Sequence, residues 1–296
     1  MMRFAFIGFG EAGPLIAKGL IEAGAGPVSA YDILVEVGET RAGWIEKARS
    51  FGAMPAASPA DAVADAEVVF STVTSKEALV AAEAVAPHLQ PGQFYLDLNS
   101  CSPGKKQAAA VAVEGSGAEY VDVAVMDTVP GRGHKVSMLL SGVAVERVIE
   151  RLAPFDMKLD PVGDAVGQAS TVKMARSVFV KGLEAILCES LTAAERVGVQ
   201  DRVLDSIQGS FPGLDWRKLA TYHMGRVVEH AKRRADEMES VAETLEELGV
   251  EPFTAAATGQ RIRWVEELGI KDKFAGDLPR TLDGFLEAIR DADLKR

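Results

Sequence analysis

The first half of the chain alternates short apolar runs with amphipathic segments of helical period. The apolar runs are typical of strands buried on both faces, and each is followed by a stretch with helical periodicity. The predicted strands are Arg3–Ile7, Val28–Tyr31, Glu67–Thr72, Phe94–Leu98, Tyr120–Val125 and Val136–Leu140. The predicted helices are Pro14–Leu20, Thr40–Ser50, Pro59–Ala64, Lys76–Ala86, Pro103–Glu114 and Ala144–Leu152. This alternation predicts an α/β fold with a doubly wound, mostly parallel sheet over residues 1–162.

The pattern changes at Gly163. Asp164 can cap a helix that continues without proline to about Val197. Further helical patterns follow without an intervening strand pattern, at Asp201–Gln208, Leu214–Leu248, Thr254–Leu268 and Leu278–Ala292. The sequence therefore predicts an all-α domain over residues 163–296, entered through one long interdomain helix.

The turn after the first strand carries the motif G-x-G-x-x-G. Its six residues are Gly8, Phe9, Gly10, Glu11, Ala12 and Gly13. The first glycine permits the tight turn, the second lets a pyrophosphate approach the backbone, and the third lets helix and strand pack closely. The N-terminus of the following helix offers unpaired N–H groups to the phosphates. Strand, turn and helix together predict a Rossmann-type domain that binds a dinucleotide at these six residues.

The end of the second strand carries an acid, Asp32, nineteen residues after Gly13. An acid at this place accepts hydrogen bonds from the hydroxyls of the adenosine ribose. A carboxylate also repels a 2′-phosphate, and the next residues, Ile33 and Leu34, supply no cation. NAD is therefore favoured over NADP, although Arg41 on the following segment could still reach a phosphate.

Polar residues follow three later strands of the predicted sheet. Ligands of such sheets bind beyond the carboxyl ends of the strands, so these residues are candidates for the nicotinamide ribose and the substrate. Ordinary helix capping is the alternative role for their hydroxyl groups. The predicted cofactor residues here are Thr72, Val73, Thr74 and Asn99, and the predicted substrate residues are Ser100, Met126 and Asp127.

The long interdomain helix carries a local surplus of positive charge. Lys173, Arg176 and Lys181 occur between Ala165 and Leu183 with no acid among them. Lys173 and Ser177 are four residues apart and share a helix face. Burial and neighbouring cations move a lysine pKa towards neutrality, where the amine can act as general acid and base. The alternative is a solvated helix whose lysines pair with nearby acids.

Composition narrows the possible partners and compartment. The formal net charge of −11 argues against nucleic acid, and an anionic substrate would need a local cationic pocket. The two cysteines and four histidines show no disulfide or metal-ligand spacing, so no metal site is predicted. With no membrane-length apolar run and no leader pattern, the expected compartment is the cytoplasm.

The chain resembles the β-hydroxyacid dehydrogenase family, which includes 6-phosphogluconate and 3-hydroxyisobutyrate dehydrogenases. The likeness rests on the glycine turn, on a segment from Asp97 to Pro103 similar to D-x-S-T-x-x-P, and on Gly167 to Lys173, which resembles the G-x-x-x-K region. It implies hydride transfer between nicotinamide and a small β-hydroxy acid or its oxo form. Lys173 would then exchange a proton with the substrate oxygen, with Ser177 and Arg176 orienting the substrate.

The chain departs from the family pattern at the substrate positions. The family has asparagine where Ser177 stands, histidine or asparagine where Arg176 stands, and serine where Met126 stands. These changes resemble a divergent subgroup with its own C-terminal domain. They leave open an imine (C=N) reductase on the same fold, or a cofactor-binding sensor without catalysis.

The C-terminal helices supply the last candidate residues. On a helix, His230, Arg233, Arg234 and Glu237 share one face, which predicts either an anion-binding cluster or a salt-bridged surface. His230 and Arg234 are accordingly predicted to bind substrate, and the loop Pro130–His134 is expected to close over a substrate carboxylate. The amphipathic helices also predict a homodimer.

Overall fold

The computed structural model describes residues 1–274 and 277–294. The chain forms two compact units, Met1–Lys173 and Met174–Arg296. The boundary between the units falls within one long helix, whereas the sequence pattern changes at Gly163. Residues 275–276 and 295–296 of the predicted helical domain lie outside the described residues.

The first unit is built on one sheet, which has eight strands within the described residues. They are β1 (Phe4–Ile7), β2 (Val28–Tyr31), β3 (Met54–Pro55), β4 (Val68–Ser71), β5 (Phe94–Asp97), β6 (Glu119–Val125), β7 (Met138–Ser141) and β8 (Leu159–Gly163). The spatial order is β3-β2-β1-β4-β5-β6-β7-β8, and every neighbouring pair is parallel except β6 and β7. The predicted doubly wound, mostly parallel sheet is confirmed.

Helices connect these strands in the predicted alternation. They are α1 (Ala12–Glu22), α2 (Gly38–Ser50), α3 (Pro59–Val63), α4 (Ala78–Val85), α5 (Pro103–Glu114) and α6 (Val145–Leu152). Two strands were missed from the sequence. β3 has two residues and β8 contains Pro161, so neither has an apolar run long enough to produce a strand pattern.

The middle of the sheet explains where a ligand would bind. β1 and β4 are buried along their whole length, and Phe6 of β1 stacks on Phe70 of β4 with ring centroids 5.1 Å apart. The order of strands reverses between these two neighbours, which makes their carboxyl ends the switch point where open α/β sheets bind ligands. The glycine turn follows β1, and Thr72 follows β4.

The second unit is helical throughout its described residues. The long helix α7 (Gln168–Glu195) enters it, followed by α8 (Gln200–Ser210), α9 (Trp216–Glu247), α10 (Phe253–Glu267), α11 (Ile270–Lys273) and α12 (Leu282–Asp293). The main core of this unit includes Leu191, Met224 and Ile289, each fully buried. None of the described helices combines the length and the apolar character that crossing a membrane requires.

Two helices differ from their predictions. Asp164 was expected to cap the long helix, but α7 begins only at Gln168. The span Leu214–Leu248 was expected to be continuous, but His230 inside α9 has non-helical backbone angles, with φ −122° and ψ 24°. The face expected to join His230 to Arg234 and Glu237 is therefore interrupted at its first residue.

Candidate active site

The first glycine of the turn is required by packing. Gly8 has a φ of +84°, and a Cβ atom there would lie 2.6 Å from Val73 Cγ1 and 2.8 Å from the backbone oxygen of Thr72. The Gly8 N–H donates to the Tyr31 carbonyl at 2.8 Å, and the Thr72 hydroxyl donates to the Gly8 carbonyl at 2.6 Å. Thr72 and Val73, predicted as cofactor residues, therefore hold the turn in place.

The other two glycines have different surroundings. A Cβ on Gly13 would lie 2.7 Å from Thr72 Oγ1, so this position also depends on close packing. A Cβ on Gly10 would meet no atom of the described chain within 4 Å. Packing therefore does not require glycine at residue 10, and the open space above it suits a pyrophosphate lying against the backbone.

The acid at the end of β2 is joined to the turn. Asp32 Oδ2 accepts the Phe9 N–H at 2.7 Å, and Oδ1 accepts the Leu34 N–H at 3.1 Å. The side chain is half-buried. A carboxylate oxygen can accept more than one hydrogen bond, so both oxygens keep capacity for ribose hydroxyls.

A second acid lies near Asp32. The Tyr31 hydroxyl donates to the Glu36 carboxylate. Burial, and then the hydrogen bond to Glu36, raise the pKa of Tyr31 well above its ordinary value, so the phenol stays protonated. Two carboxylates at the end of β2 make this place unfavourable for a further negative charge.

A lysine that sequence reasoning missed also contacts the turn. Lys47 of α2 donates from Nζ to the Gly10 carbonyl at 2.6 Å. In a trans peptide the C=O and the next N–H point in opposite directions, so this contact directs the Glu11 N–H away from Lys47. Lys47 thus fixes the orientation of the peptide at the open glycine.

Replacing Lys47 by methionine is expected to weaken the binding of NADH, NADPH and ADP-ribose equally, with Kd rising about tenfold for each. The reason is that a charge-assisted hydrogen bond contributes about 1.5–3 kcal/mol, and a loss of about 1.4 kcal/mol raises Kd tenfold. Titration calorimetry on the three ligands measures the effect, and Lys18→Met, which replaces an exposed lysine of α1, is the control. A loss confined to NADPH would show instead that Lys47 contacts a 2′-phosphate.

The end of β5 presents an unpartnered buried acceptor. Asn99 is 4% exposed, and its Nδ2 donates to Ser71 Oγ at 2.9 Å. Its Oδ1 is buried and has no hydrogen-bond partner among the described residues. A ribose hydroxyl would satisfy this oxygen, so the residue fits a nicotinamide ribose. Burial raises the pKa of the neighbouring Cys101 thiol to about 12, which excludes a thiolate nucleophile.

The remaining strand-end residues are more accessible. Ser100 and Met126 are half-buried, while Thr74 and Asp127 are exposed. Asp127 Oδ2 lies 2.9 Å from Arg132 Nη2 in the same loop. The structure brings these residues to the carboxyl ends of β4, β5 and β6, as expected, and their ligand roles stay predictions.

The loop expected to close over a substrate is anchored at its far end. His134 is buried against Gly19 of α1, and its Nε2 lies 3.1 Å from the Phe155 carbonyl. Burial lowers the pKa of His134, so the ring is neutral near pH 7. This packing holds the His134 end of the loop against α1, and closure of Pro130–His134 over a substrate carboxylate stays a prediction.

The start of α7 is held by one buried carboxylate. Asp122 Oδ2 accepts the N–H groups of Gly167 and Ser170, at 3.2 and 3.0 Å, and Oδ1 accepts the Ser170 hydroxyl at 2.7 Å. Lys173 follows one turn after Ser170 and is half-buried. The sheet thereby fixes the orientation of the helix turn that carries the predicted acid/base.

The register of this turn follows from the residues after the lysine. Lys173 lies six residues after Gly167 and four residues before Ser177, where the family has asparagine. The Thr171 hydroxyl donates back to the Gly167 carbonyl at 2.8 Å. Lys173 therefore stands at the position of the family's lysine, and its catalytic role stays a prediction.

The other two residues of the predicted catalytic set belong to the second unit. Ser177 is half-buried and Arg176 is exposed on α7. Their roles stay predictions.

A buried ion network occupies the predicted substrate face of α9. Arg234 is 4% exposed and donates from Nε to Glu184 Oε2 at 2.9 Å, and His223 Nδ1 lies 3.1 Å from Glu184 Oε1. Burial alone would raise the pKa of Glu184, but His223 and Arg234 overcome it and lower the pKa. Arg233 pairs with Glu237 one turn further along. These contacts favour the salt-bridge alternative, and substrate binding by His230 and Arg234 stays a prediction.

The chain matches two protein families. Residues 3–155 match the NAD binding domain of 6-phosphogluconate dehydrogenase, and residues 194–265 match a domain of unknown function, DUF1932. The first match covers β1 to β7 of the sheet and the glycine turn. Among the described residues, no group of His, Cys, Asp and Glu side chains is arranged to hold a metal ion.

Two solved structures are similar to the chain in sequence as well as fold. A conserved hypothetical protein from Sinorhizobium meliloti 1021 is 38% identical, with 99% of this chain and 97% of that chain covered and a TM-score of 0.80. A conserved protein of unknown function, described as structurally similar to 3-hydroxyacid dehydrogenases, is 30% identical, with 90% and 98% covered and a TM-score of 0.72.

A third structure is similar in fold. An imine reductase from Aspergillus terreus, solved with NADPH4 and dibenz[c,e]azepine, is 18% identical, with 90% of this chain and 94% of that chain covered and a TM-score of 0.57. The same architecture therefore occurs in a protein named for C=N reduction.

Proposed function

Because the chain belongs to the β-hydroxyacid dehydrogenase family, with a C-terminal helical domain, we propose that it is a nicotinamide-dependent dehydrogenase or reductase. Its substrate is a small, anionic β-hydroxy acid or the corresponding oxo acid. The observation that carries this proposal is the site at the switch point of the sheet. There an open Gly10, the Asp32 carboxylate and the unpartnered Asn99 oxygen match the pyrophosphate and the two riboses of a dinucleotide.

The chain's own residues bind the cofactor and move the proton. The bound nicotinamide supplies or accepts the hydride. Lys173 gives a proton to the substrate oxygen during reduction and takes it back during oxidation. Ser177 and Arg176 orient the substrate, and the cation of Arg176 attracts its carboxylate.

We propose NAD as the preferred cofactor. Asp32 and Glu36 place two carboxylates at the end of β2, where NADP would bring its 2′-phosphate. Repulsion between these charges disfavours NADP. Arg41 is exposed on α2 and is the nearest cation in sequence that could offset this repulsion.

Reduction of a C=N bond is the second candidate. Two observations favour it: Met126 and Ser177 stand where the family has serine and asparagine, and an imine reductase shares the fold. The residues that hold the dinucleotide would serve either reaction, so the cofactor site does not distinguish the two.

A substrate panel tests the proposal. The purified protein is expected to oxidise NADH with at least one small β-oxo acid, or to reduce NAD with the hydroxy acid, and to leave cyclic imines unchanged. The absorbance of reduced nicotinamide measures turnover. Activity on imines alone would establish the second candidate. Tight NADH binding without turnover on either class would indicate a cofactor-binding sensor.

A further inference from the structure

A fully buried lysine lies beside the strand end that carries Asn99. Lys106 of α5 has no solvent exposure. Its Nζ atom lies 3.0 Å from Asp97 Oδ1, 3.3 Å from Asp122 Oδ1 and 2.5 Å from the Asp97 carbonyl oxygen. An ammonium group has three N–H donors, so these acceptors use its full capacity.

The first carboxylate shapes the strand end that carries Asn99. Asp97 is the last residue of β5, and its Oδ1 accepts the Asn99 N–H at 2.9 Å. Its Oδ2 accepts the Tyr120 hydroxyl at 2.7 Å. Asp97 therefore fixes the backbone conformation that places Asn99 at the end of the sheet.

The second carboxylate holds the first turn of α7. Asp122 accepts two N–H groups and a hydroxyl from Gly167 and Ser170, as described above. The Ser141 hydroxyl, at 3.2 Å, also donates to it. A carboxylate at a helix N-terminus is stabilised by the helix dipole as well as by these hydrogen bonds.

Lys106 is the link between these two carboxylates. Burial opposes the charged ammonium, but Asp97 and Asp122 overcome this effect and raise the pKa of Lys106. Without the lysine, two buried negative charges would face each other, which costs free energy unless one of them moves or binds a proton. The ammonium therefore sets the separation between the end of β5 and the start of α7.

We propose that Lys106 is a positioning residue that couples the Asn99 strand end to the helix turn bearing Lys173. It touches neither cofactor nor substrate and acts through Asp97 and Asp122. Its effect on cofactor binding stands independently of the proposed reaction, and only its effect on turnover rests on the proposed function.

The test compares NADH with ADP, because ADP lacks both the nicotinamide ring and the ribose assigned to Asn99 and tests the remainder of the cofactor site. In Lys106→Met the affinity for NADH is expected to fall about tenfold while that for ADP stays within about twofold. Hydrogen exchange of the Gly167 and Ser170 amides is expected to accelerate about tenfold more than exchange in β1. Lys18→Met, an exposed lysine substitution on α1, controls for loss of a positive charge.

A second variant covers the case in which Lys106→Met does not fold. Asp97→Asn/Lys106→Met removes both partners of one ion pair and leaves Asp122 with the helix N-terminus. This variant is expected to fold and to show the same loss of affinity for NADH relative to ADP. An unchanged affinity ratio, or equal acceleration of exchange in α7 and β1, would overturn the proposal. Absence of turnover in the wild-type protein would count against the proposed reaction only.

Discussion

Replacing Lys173 by alanine is expected to lower kcat by about 10²–10⁴, the usual contribution of a general acid/base. The substrate oxygen gains negative charge as hydride arrives, and without the lysine that charge is neutralised only by solvent. NADH affinity is expected to stay within about twofold, because the residues assigned to the cofactor lie at the ends of β1, β2, β4 and β5. Steady-state kinetics on the best substrate of the panel, together with NADH titration, measure both quantities.

A neighbouring residue of the same helix supplies the control. Thr171→Ala removes a hydroxyl two residues before the lysine while leaving Lys173 in place. If Lys173 is the acid/base, this variant keeps kcat within about tenfold of wild type, well short of the loss expected for the lysine. Near-normal turnover in Lys173→Ala combined with a large loss in Thr171→Ala would assign the chemistry to the other face of the helix.

Gly10→Val is expected to weaken dinucleotide binding strongly without unfolding the protein. In the folded chain the new side chain enters open space, so stability should change by no more than about 0.5 kcal/mol, as for an ordinary surface substitution. In the complex it would occupy the place of the pyrophosphate. Losing two charge-assisted hydrogen bonds, at about 1.5–3 kcal/mol each, weakens Kd by about 10²-fold or more.

The matched variant is Gly8→Ala. A positive φ and a Cβ only 2.6 Å from Val73 Cγ1 are expected to destabilise the protein by at least about 1–3 kcal/mol. Thermal unfolding and NADH titration on both variants separate the two roles. If Gly10→Val bound NADH as tightly as wild type, the pyrophosphate would lie elsewhere and the assignment of the glycine turn would be wrong.

The fold could be predicted from the sequence because most strands and helices produce a local pattern of apolar residues. Apolar runs such as Phe4–Ile7 and Val68–Ser71 are buried along their whole length, which is the pattern a central parallel strand produces. β3 and β8 were missed because they are short, or contain proline, and form by pairing with neighbours already in the sheet. The break at His230 in α9 left no proline or glycine signal in the sequence.

The candidate site could be predicted where the spacing of a sequence motif determines the positions of its residues. The six-residue turn and Asp32 could be assigned from spacing, and the hydrogen bond between Asp32 and Phe9 joins them as the motif requires. Lys47 and Lys106 could not be found this way. Each contacts its partner through the tertiary fold, and nothing near either lysine in sequence indicates which backbone or carboxylate it meets.

The partners of the predicted substrate residues could not be read from the sequence. Arg234 was expected to bind an anion because of its spacing on a helix face, and this role stays a prediction. The partner that the structure gives it is Glu184, a residue fifty positions away on another helix. Helical spacing shows which side chains share a face, but it does not show which element covers that face.

Transfer of labelled hydride to the substrate distinguishes catalysis from cofactor binding alone. The wild-type protein is incubated with a β-oxo acid and NADH carrying deuterium at both hydrogen positions of nicotinamide C4, and the product is examined by mass spectrometry. We expect one deuterium on the carbon that becomes the alcohol. Binding of the labelled cofactor with no deuterium entering any member of the substrate panel would contradict this expectation.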